Sequence, residues 1–326
     1  MKGRVVIVTT GGTIAMRHDA ASGGAVPAVS GAELVAAVPL LAACAAIEVV
    51  EFSNIPSPHM TPALMHGLAL RVEELLADAD VLGAVITHGT DTLEETACFL
   101  DLFLHCAKPV CLTAAMRHAG DTSPDGPINI LCAVRVAASP EARGKGVLVV
   151  MNQEVHAACD VTKTHAGNVK TFASPCWGPL GYVDDDRVIF RRDPLRRVHI
   201  RPEAPETDVH LVALAAGADD FLLNCLIDRG VKGIVVQGFG RGNVPPLALR
   251  GMKRAVAAGI AVVVVTRCPG GRVLDAYAYE GGVRGQVQAG VIMGGELNGP
   301  KARIKLMLAL GITRDPAQIA GYFDTE

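Results

Sequence analysis

The chain has 326 residues, and half of them are hydrophobic although only 4% are aromatic. That length allows two domains and at least one large core, and an aliphatic composition is typical of parallel strands covered by helices. A net charge of −3 excludes a general nucleic-acid-binding protein, no apolar run approaches the ~20 residues that cross a membrane, and nine scattered cysteines without a Cys-x-x-Cys pair exclude a disulfide framework or a zinc knuckle.

The first part of the chain alternates apolar runs with helix-like patterns. It begins with Met1-Lys2-Gly3-Arg4 and no apolar signal region precedes the first run, which predicts a cytoplasmic location. The predicted strands are Val5–Val8, Ile47–Phe52, Val81–Ile86, Val110–Leu112 and Val147–Met151, and the predicted helices lie near Gly31–Val38, Pro62–Asp78, Leu93–Cys106 and Pro127–Ala138. This alternation predicts a parallel sheet with helices on both faces.

Two stretches interrupt the pattern. The segment Met16–Val29 is rich in Ala, Gly and Ser without periodicity, and we expect a mobile loop or lid there. The segment Arg191–Asp208 holds three prolines and many charges, which is typical of a linker.

A second alternating block follows the linker. It contains predicted strands at Val209–Leu214, Gly233–Val236 and Ile260–Val265, and predicted helices near Asp219–Arg229, Leu247–Ala258, Pro300–Leu310 and Asp315–Phe323. We therefore predict an α/β protein with a large N-terminal parallel-sheet domain (1–190), a linker (191–208) and a smaller C-terminal α/β domain (209–326).

Two of the predicted strands end in a threonine beside a glycine. Gly11-Gly12-Thr13 follows the first strand, and Thr90-Asp91 follows the strand at Val81–Ile86. Ligands of open α/β sheets bind at the carboxyl ends of strands. Thr13 is thus a candidate nucleophile, with the Gly11 and Gly12 N–H groups available to a developing oxyanion. The simpler alternatives are a strand-end turn for Thr13 and a helix cap for Thr90-Asp91.

Lysine and serine supply two further candidates. Lys163, in Asp160-Val161-Thr162-Lys163-Thr164, could act as a base if desolvation lowers its pKa, and the alternative is an exposed loop lysine. Ser57 also follows a strand and could bind a substrate carboxylate, the alternative being an ordinary turn serine. No His, Asp or Glu set has metal-ligand spacing, so we expect no metal.

Together these segments resemble the bacterial two-domain L-asparaginases of the asparaginase/glutaminase family. Thr10–Ala15 is similar to the first family signature, and Ile86–Ala97 is similar to the second, which is long and specific. The match runs through most of the chain, with shorter similar stretches at Ala115-Met116-Arg117, Asp125-Gly126-Pro127, Asp160–Thr164, Gly178–Gly181 and Lys301-Ala302-Arg303.

The resemblance implies hydrolysis of L-asparagine to L-aspartate and ammonia without a cofactor. It implies that Thr13 is the nucleophile of an acyl-enzyme intermediate, and that Thr90, Asp91 and Lys163 form a second triad that positions water and relays a proton. It also implies that Ser57 and Asp91 hold the α-carboxylate and α-amino groups. The residues expected to contact substrate are Gly12, Ser57, Pro58, Gly89, Thr90, Asp91, Ala115, Asn243 and Glu280.

The resemblance further implies a homotetramer, assembled as a dimer of intimate dimers, with no nucleic-acid or membrane partner. Each site is expected where the large domain of one subunit meets the small domain of another. Asn243 matches a position that approaches the neighbouring site.

Three departures from the family pattern are evident. The loop after Thr13 lacks the usual tyrosine, whose place falls at Gly24 or Ala25, and Pro58 replaces a glutamine. The segment Asp275–Gly282 is rewritten. We hypothesise that Tyr277, Tyr279 or Glu280 of a neighbouring subunit supplies some of the missing contacts.

These departures leave two alternatives to the L-asparaginase prediction. One is an amidohydrolase of the same family that prefers glutamine, a D-amide or another amide. The other is an amino-acid-binding or sensor protein that has lost turnover.

Overall fold

In the computed structural model, which describes residues 3–19, 23–194 and 198–324, the chain divides into two units between residues 197 and 198. Within these ranges no helix is long and apolar enough to cross a membrane. Each unit contains its own buried apolar cluster and its own main sheet.

The first unit carries most of the secondary structure. Its strands are β1 (Arg4–Gly11), β2 (Met16–Asp19), β3 (Gly24–Pro27), β4 (Ala46–Ile55), β5 (Val81–Thr87), β6 (Val110–Thr113), β7 (Val147–Met151), β8 (Glu154–Ala157), β9 (Thr162–Lys163), β10 (Phe172–Ala173), β11 (Gly181–Asp184) and β12 (Arg187–Phe190). Its α-helices are α1 (Gly31–Ala36), α2 (Leu41–Cys44), α3 (Pro62–Leu76), α4 (Leu93–Phe103) and α5 (Gly126–Ala138). Single turns of 3₁₀-helix lie at Thr13–Ala15, Ser57–His59 and Pro140–Ala142.

The main sheet of this unit has the strand order β12-β11-β8-β7-β6-β5-β1-β4. Strands β4, β1, β5, β6 and β7 are parallel, with α1, α2 and α5 packed on one face and α3 and α4 on the other. Alternate residues of the buried strands therefore face one helix layer or the other, which explains their continuous apolar sequence. The predicted fold class is confirmed.

The other end of this sheet is antiparallel and was not predicted. Asn152 and Gln153 have φ values of 49° and 65° and join β7 to β8 as a two-residue hairpin. Two consecutive residues with positive φ form the turn whose twist matches that of the flanking strands. The three added strands are four residues each, too short to give a clear pattern.

The segment predicted as a mobile loop or lid contains a hairpin in its described part. Strand β2 pairs antiparallel with β3, from Met16 opposite Pro27 to Asp19 opposite Gly24. These two strands were not predicted, and the position matched to the family tyrosine lies in β3. Residues 20–22 lie outside the described ranges, and the lid remains a prediction.

The second unit is a smaller, fully parallel α/β layer structure in the part described. Its elements are β13 (Val209–Ala213), α6 (Phe221–Arg229), β14 (Gly233–Gly238), α7 (Pro246–Ala257), β15 (Ala261–Thr266), α8 (Val283–Gln288), β16 (Ile292–Met293), α9 (Gly299–Ile312) and α10 (Pro316–Phe323). The strands follow the order β13-β14-β15-β16. Helix α8 and strand β16, which are both short, were not predicted.

The predicted linker has no regular secondary structure in residues 191–194 and 198–208. Its second half nevertheless packs as part of the second unit. Ile200 is fully buried, and the Glu206 backbone N–H donates to the Met307 carbonyl at 2.9 Å. Glu206 also pairs with Arg314 at 2.6 Å. The boundaries assigned to the linker remain a prediction.

Candidate active site

The candidate site lies at the carboxyl edge of the large sheet, where several strands end in register. Thr87 at the end of β5 is paired with Thr9 of β1 on one side and with Thr113 of β6 on the other. The loops that follow these three strands therefore leave the sheet side by side. Open α/β sheets bind ligands at this edge.

Two glycines bring the loop of Thr13 against the loop of Thr90. A Cβ atom on Gly12 would lie 2.3 Å from both the N and the Cα atoms of Gly89, a distance that no side chain tolerates. Gly12 also has a φ of 83°, which favours glycine. Thr13 starts the 3₁₀ turn immediately after this contact. The Gly12 N–H donates to the Ile55 carbonyl at 3.0 Å, so the expectation that this N–H faces an oxyanion is wrong.

Ser57 joins the same cluster from the loop after β4. Its hydroxyl oxygen accepts a hydrogen bond from the Asp91 backbone N–H at 3.1 Å. Its carbonyl accepts one from Thr92 Oγ1 at 2.8 Å. Ser57 is buried, whereas its neighbour Pro58 is exposed. Ser57 is thus a structural link between two site loops rather than a simple turn serine.

The alternative that Thr90-Asp91 is only a helix cap does not fit the geometry. Helix α4 starts after Thr92, but no side chain forms a capping hydrogen bond there. The Thr92 hydroxyl is directed to Ser57 instead, and the Thr90 and Asp91 side chains are directed to Lys163.

Lys163 reaches this pair from β9, which forms a short hairpin with β10. Its Nζ atom donates to Thr90 Oγ1 at 2.9 Å and to Asp91 Oδ1 at 2.7 Å. The Lys163 side chain is 18% exposed and that of Asp91 is 58% exposed. The amine is therefore largely covered, and the carboxylate opens to solvent, so Lys163 is not an exposed loop lysine.

Glu94 is a buried residue that contacts the site and that the sequence did not single out within the predicted helix Leu93–Cys106. Its Oε2 accepts a hydrogen bond from the Lys163 backbone N–H at 2.7 Å. It is 8% exposed. No sequence pattern links two residues that are 69 positions apart, so this contact is seen only in the folded structure.

The loop with Ala115 is fixed by one carboxylate. Asp125 accepts hydrogen bonds from the backbone N–H groups of Met116 at 3.1 Å and Arg117 at 2.8 Å, and from Asn129 Nδ2 at 3.1 Å. Three residues of the family-like motifs, together with Asn129, are thereby linked after the end of β6.

Ala115 also lies close to the turn of Thr13. A Cβ atom on Gly126 would meet the Ile14 side chain at 3.0 Å and the Ala115 side chain at 3.6 Å. The first unit therefore brings together the predicted residues Gly12, Thr13, Ser57, Gly89, Thr90, Asp91, Ala115 and Lys163.

His88 supports this edge as an uncharged ring. It is fully buried, its Nδ1 lies 2.7 Å from the Gly89 carbonyl oxygen, and its Nε2 lies 3.0 Å from Thr96 Oγ1. Because a carbonyl can only accept, Nδ1 carries the hydrogen and Nε2 accepts from the threonine. Desolvation by burial lowers the pKa of His88 to about 4.

Asn243 and Glu280 belong to the second unit, where they lie in adjoining loops. The Val244 backbone N–H donates to the Gly281 carbonyl at 2.9 Å. Gln286 Nε2 donates to the carbonyls of Gly242 at 2.9 Å and Gly281 at 3.0 Å. The buried Gln286 amide, which was not predicted, thus clamps the two loops together.

The tyrosines of the rewritten segment are accessible. The side chains of Tyr277 and Tyr279 are 44% and 56% exposed, and their ring centroids are 5.6 Å apart. Across the described ranges, no three His, Cys, Asp or Glu side chains group so as to hold a metal ion.

Comparison with known proteins assigns both parts of the chain. The domain family described as "Asparaginase, N-terminal" matches residues 4–196, and the one described as "Glutaminase/Asparaginase C-terminal domain" matches residues 208–323. These ranges correspond to the two units of the structure.

Several bacterial relatives match over nearly their full length. The chain is 36% identical to an L-asparaginase of Bacillus licheniformis, over 95% of this chain and 96% of that protein. It is 38% identical to a Haemophilus influenzae protein named "Probable L-asparaginase periplasmic", over 98% and 92% of the two chains. A solved structure described as a "Probable Cytoplasmic L-asparaginase from Campylobacter jejuni" is 35% identical, covers 99% of both chains and has a TM-score of 0.89.

Proposed function

The chain belongs to the asparaginase family, and we propose that this L-asparaginase hydrolyses L-asparagine to L-aspartate and ammonia through an acyl-enzyme intermediate on Thr13. The residue assignment rests on one observation: the loop that packs against Gly12 at Gly89 continues into Thr90 and Asp91, which bind Lys163. Two threonines and one amine therefore lie at the same edge of the sheet.

Acylation is assigned to Thr13. Its hydroxyl oxygen attacks the side-chain amide carbon of asparagine, the carbon–nitrogen bond breaks, and the hydroxyl proton leaves with the nitrogen as ammonia. An ester then joins Thr13 to the substrate β-carboxyl group. Covalent catalysis of this kind splits the hydrolysis of a poor electrophile into two easier steps.

Deacylation is assigned to the second cluster. A water beside Thr90 attacks the ester carbonyl, the bond to Thr13 breaks, and one water proton returns to the Thr13 oxygen through the Thr90 hydroxyl. Lys163 holds Thr90 Oγ1 and Asp91 Oδ1 at once, which fixes the direction of that hydroxyl. Such fixed geometry is a main source of rate enhancement.

Ser57 and Asp91 are assigned to the two α groups of the substrate. The Asp91 carboxylate opens to solvent and is suited to an α-ammonium group. The Ser57 oxygen accepts from the Asp91 N–H, and its own O–H is assigned to donate to the substrate α-carboxylate. The carboxylate-anchored loop at Ala115 is assigned to the leaving amide.

We further propose a homotetramer in which Asn243 and the segment with Tyr277, Tyr279 and Glu280 approach the site of a neighbouring copy. The clamp between the two loops and the accessibility of both tyrosines support this assignment. We also propose a cytoplasmic location. The description of the Campylobacter jejuni structure supports it, whereas the name of the Haemophilus influenzae relative favours the periplasm.

Ammonia release from L-asparagine, L-glutamine and D-asparagine tests the assignment. We expect turnover of L-asparagine that Thr13→Ala abolishes while the protein stays folded. Turnover of a different amide alone would favour the second candidate, an amidohydrolase of the same family. That candidate is supported by Pro58, which is exposed and replaces a glutamine. Aspartate binding without any ammonia would identify a binding protein instead.

A further inference from the structure

The hairpin that carries Lys163 is small. Strand β9 consists of two residues, and Lys163 is paired there with Phe172 of β10. The next residue continues the hairpin, since the Thr164 backbone N–H donates to the Thr171 carbonyl at 2.7 Å. An isolated two-stranded hairpin is marginally stable in water, so its placement depends on contacts with the rest of the unit.

One of those contacts is made at Lys163 itself. The backbone N–H of Lys163 donates to Glu94 Oε2 at 2.7 Å, while the side chain of the same residue reaches Thr90 and Asp91. A hydrogen bond to a carboxylate is shorter and about twice as strong as one between neutral groups. Burial of Glu94 protects this bond from competing water.

Glu94 is attached directly to the residues that Lys163 must meet. It lies in the first turn of α4, which starts at Leu93, so that only Thr92 separates the Thr90-Asp91 pair from the helix. A carboxylate in the first turn is also stabilised by the helix macrodipole. The acceptor of the Lys163 main chain therefore lies only three and four positions after the two acceptors of the Lys163 side chain, at the start of the helix that follows them.

We propose that Glu94 is a positioning residue for the reaction. It fixes the main chain of Lys163 so that Nζ stays within hydrogen-bond distance of Thr90 and Asp91. The inference rests on the proposed function of Lys163. A lysine side chain is long and has many rotamers, and anchoring its backbone restricts where its amine lies. A catalytic group displaced by about 1 Å can lose about 10²-fold in rate.

Steady-state kinetics of Glu94→Ala, Glu94→Gln and the matched control Glu95→Ala test the proposal. We expect kcat for L-asparagine to fall by about 10²-fold in Glu94→Ala, with the affinity for aspartate within about threefold of wild type. Glu94→Gln keeps an acceptor oxygen and should lie between wild type and Glu94→Ala. Glu95→Ala removes a carboxylate from the same helical turn and should retain wild-type kcat.

A double-mutant cycle separates positioning from a general structural role. If Glu94 acts through Lys163, adding Glu94→Ala to Lys163→Met should lower the residual activity no further. An equal loss in both backgrounds would overturn the proposal, as would a folded Glu94→Ala protein with wild-type kcat.

Two further outcomes are decisive. If Glu94→Ala does not fold, kcat of Glu94→Gln is compared with that of Glu95→Gln, and equal values would overturn the proposal. Wild type that releases no ammonia from L-asparagine would instead overturn the proposed function, which is a separate result.

Discussion

The Ser57 hydroxyl oxygen accepts a hydrogen bond from the Asp91 backbone N–H at 3.1 Å. One serine thereby fixes the main chain of the residue to which we assign the substrate α-amino group. The Ser57 carbonyl holds the following residue, Thr92, in the same way. The sites proposed for the two α groups of the substrate are therefore coupled, and a substitution at Ser57 should also displace the main chain of Asp91.

Replacement of Ser57 by alanine should weaken substrate binding more than turnover. The variant loses a contact to the substrate carboxylate and the acceptor for the Asp91 N–H. A hydrogen bond to a charged group contributes about 1.5–3 kcal/mol, so KM should rise by about tenfold or more. Ser139→Ala is the control, since Ser139 also accepts a backbone N–H, from Glu141, but after α5. Equal KM values in both variants would exclude Ser57 from the substrate site.

Alanine at Gly12 or Gly89 should lower turnover strongly. The new Cβ at Gly12 would lie 2.3 Å from Gly89, and the one at Gly89 would lie 2.7 Å from Ser57 Oγ, so the loops must separate in either case. The substitutions act on the contact between loops and not on the pairing of β1 with β5, so we expect a folded protein whose kcat falls by about 10²-fold or more. Gly321→Ala, with open space around the new Cβ, should behave as wild type. An active Gly12→Ala enzyme would contradict the close packing of the two loops.

The sequence predicted the layers of the fold better than its edges. Long apolar runs such as Val81–Ile86 correspond to buried parallel strands, because burial on both faces leaves a continuous signal. Strands β8, β11 and β12 have only four residues each, and β2 and β3 lie in an Ala- and Gly-rich segment, so no periodicity marks them. The local apolar pattern predicts the core strands, whereas hairpins at the edges of the sheet depend on turn geometry such as that of Asn152 and Gln153.

The candidate site shows the same division. Residues at strand ends, including Thr13, Ser57 and Thr90, were found because position after a strand is itself a signal. Glu94 and Gln286 were not found as site residues, since each acts through backbone groups that are distant in sequence or in another loop. Side-chain contacts to backbone leave no sequence pattern beyond one polar residue in a helix.

His88 should make the protein lose stability at acid pH. Its pKa is about 4 in the fold because of burial, against an ordinary value of 6.5. Below pH 6.5 the unfolded chain binds a proton that the folded protein does not, so stability present above pH 6.5 is lost progressively down to about pH 4. One pKa unit corresponds to about 1.4 kcal/mol, and the full loss is about 3 kcal/mol.

The measurement is the urea unfolding free energy of wild type and His88→Gln between pH 7 and pH 4, at one protein concentration. Other titrating groups act on both proteins, so the difference between them isolates His88. We expect the advantage of wild type to shrink as the pH falls. A constant difference would mean that His88 is not held neutral in the fold.

The Gln286 amide should hold together the loops that contain Gly242 and Gly281 in the second unit. Gln286→Met keeps the volume but leaves the Gly242 and Gly281 carbonyls without this donor, at a cost of about 1–3 kcal/mol in the free energy of unfolding. KM for L-asparagine should rise if these loops approach the substrate. Gln288→Met, at an exposed position of the same helix, serves as the control. Unchanged stability and KM in Gln286→Met would contradict the clamp.

Mixing two inactive variants tests whether the rewritten segment acts on a neighbouring copy. Thr13→Ala lacks the nucleophile but has an intact segment, whereas the combined variant Tyr277→Phe, Tyr279→Phe and Glu280→Gln has an intact nucleophile. If each site takes Thr13 from one subunit and the segment from another, joint unfolding and refolding of equal amounts should restore about a quarter of the sites, because subunits mix at random in a symmetric oligomer. A segment that serves its own subunit can give no recovery, since every subunit in the mixture carries one defect. If the combined variant is itself fully active, the segment does not contribute to the site at all.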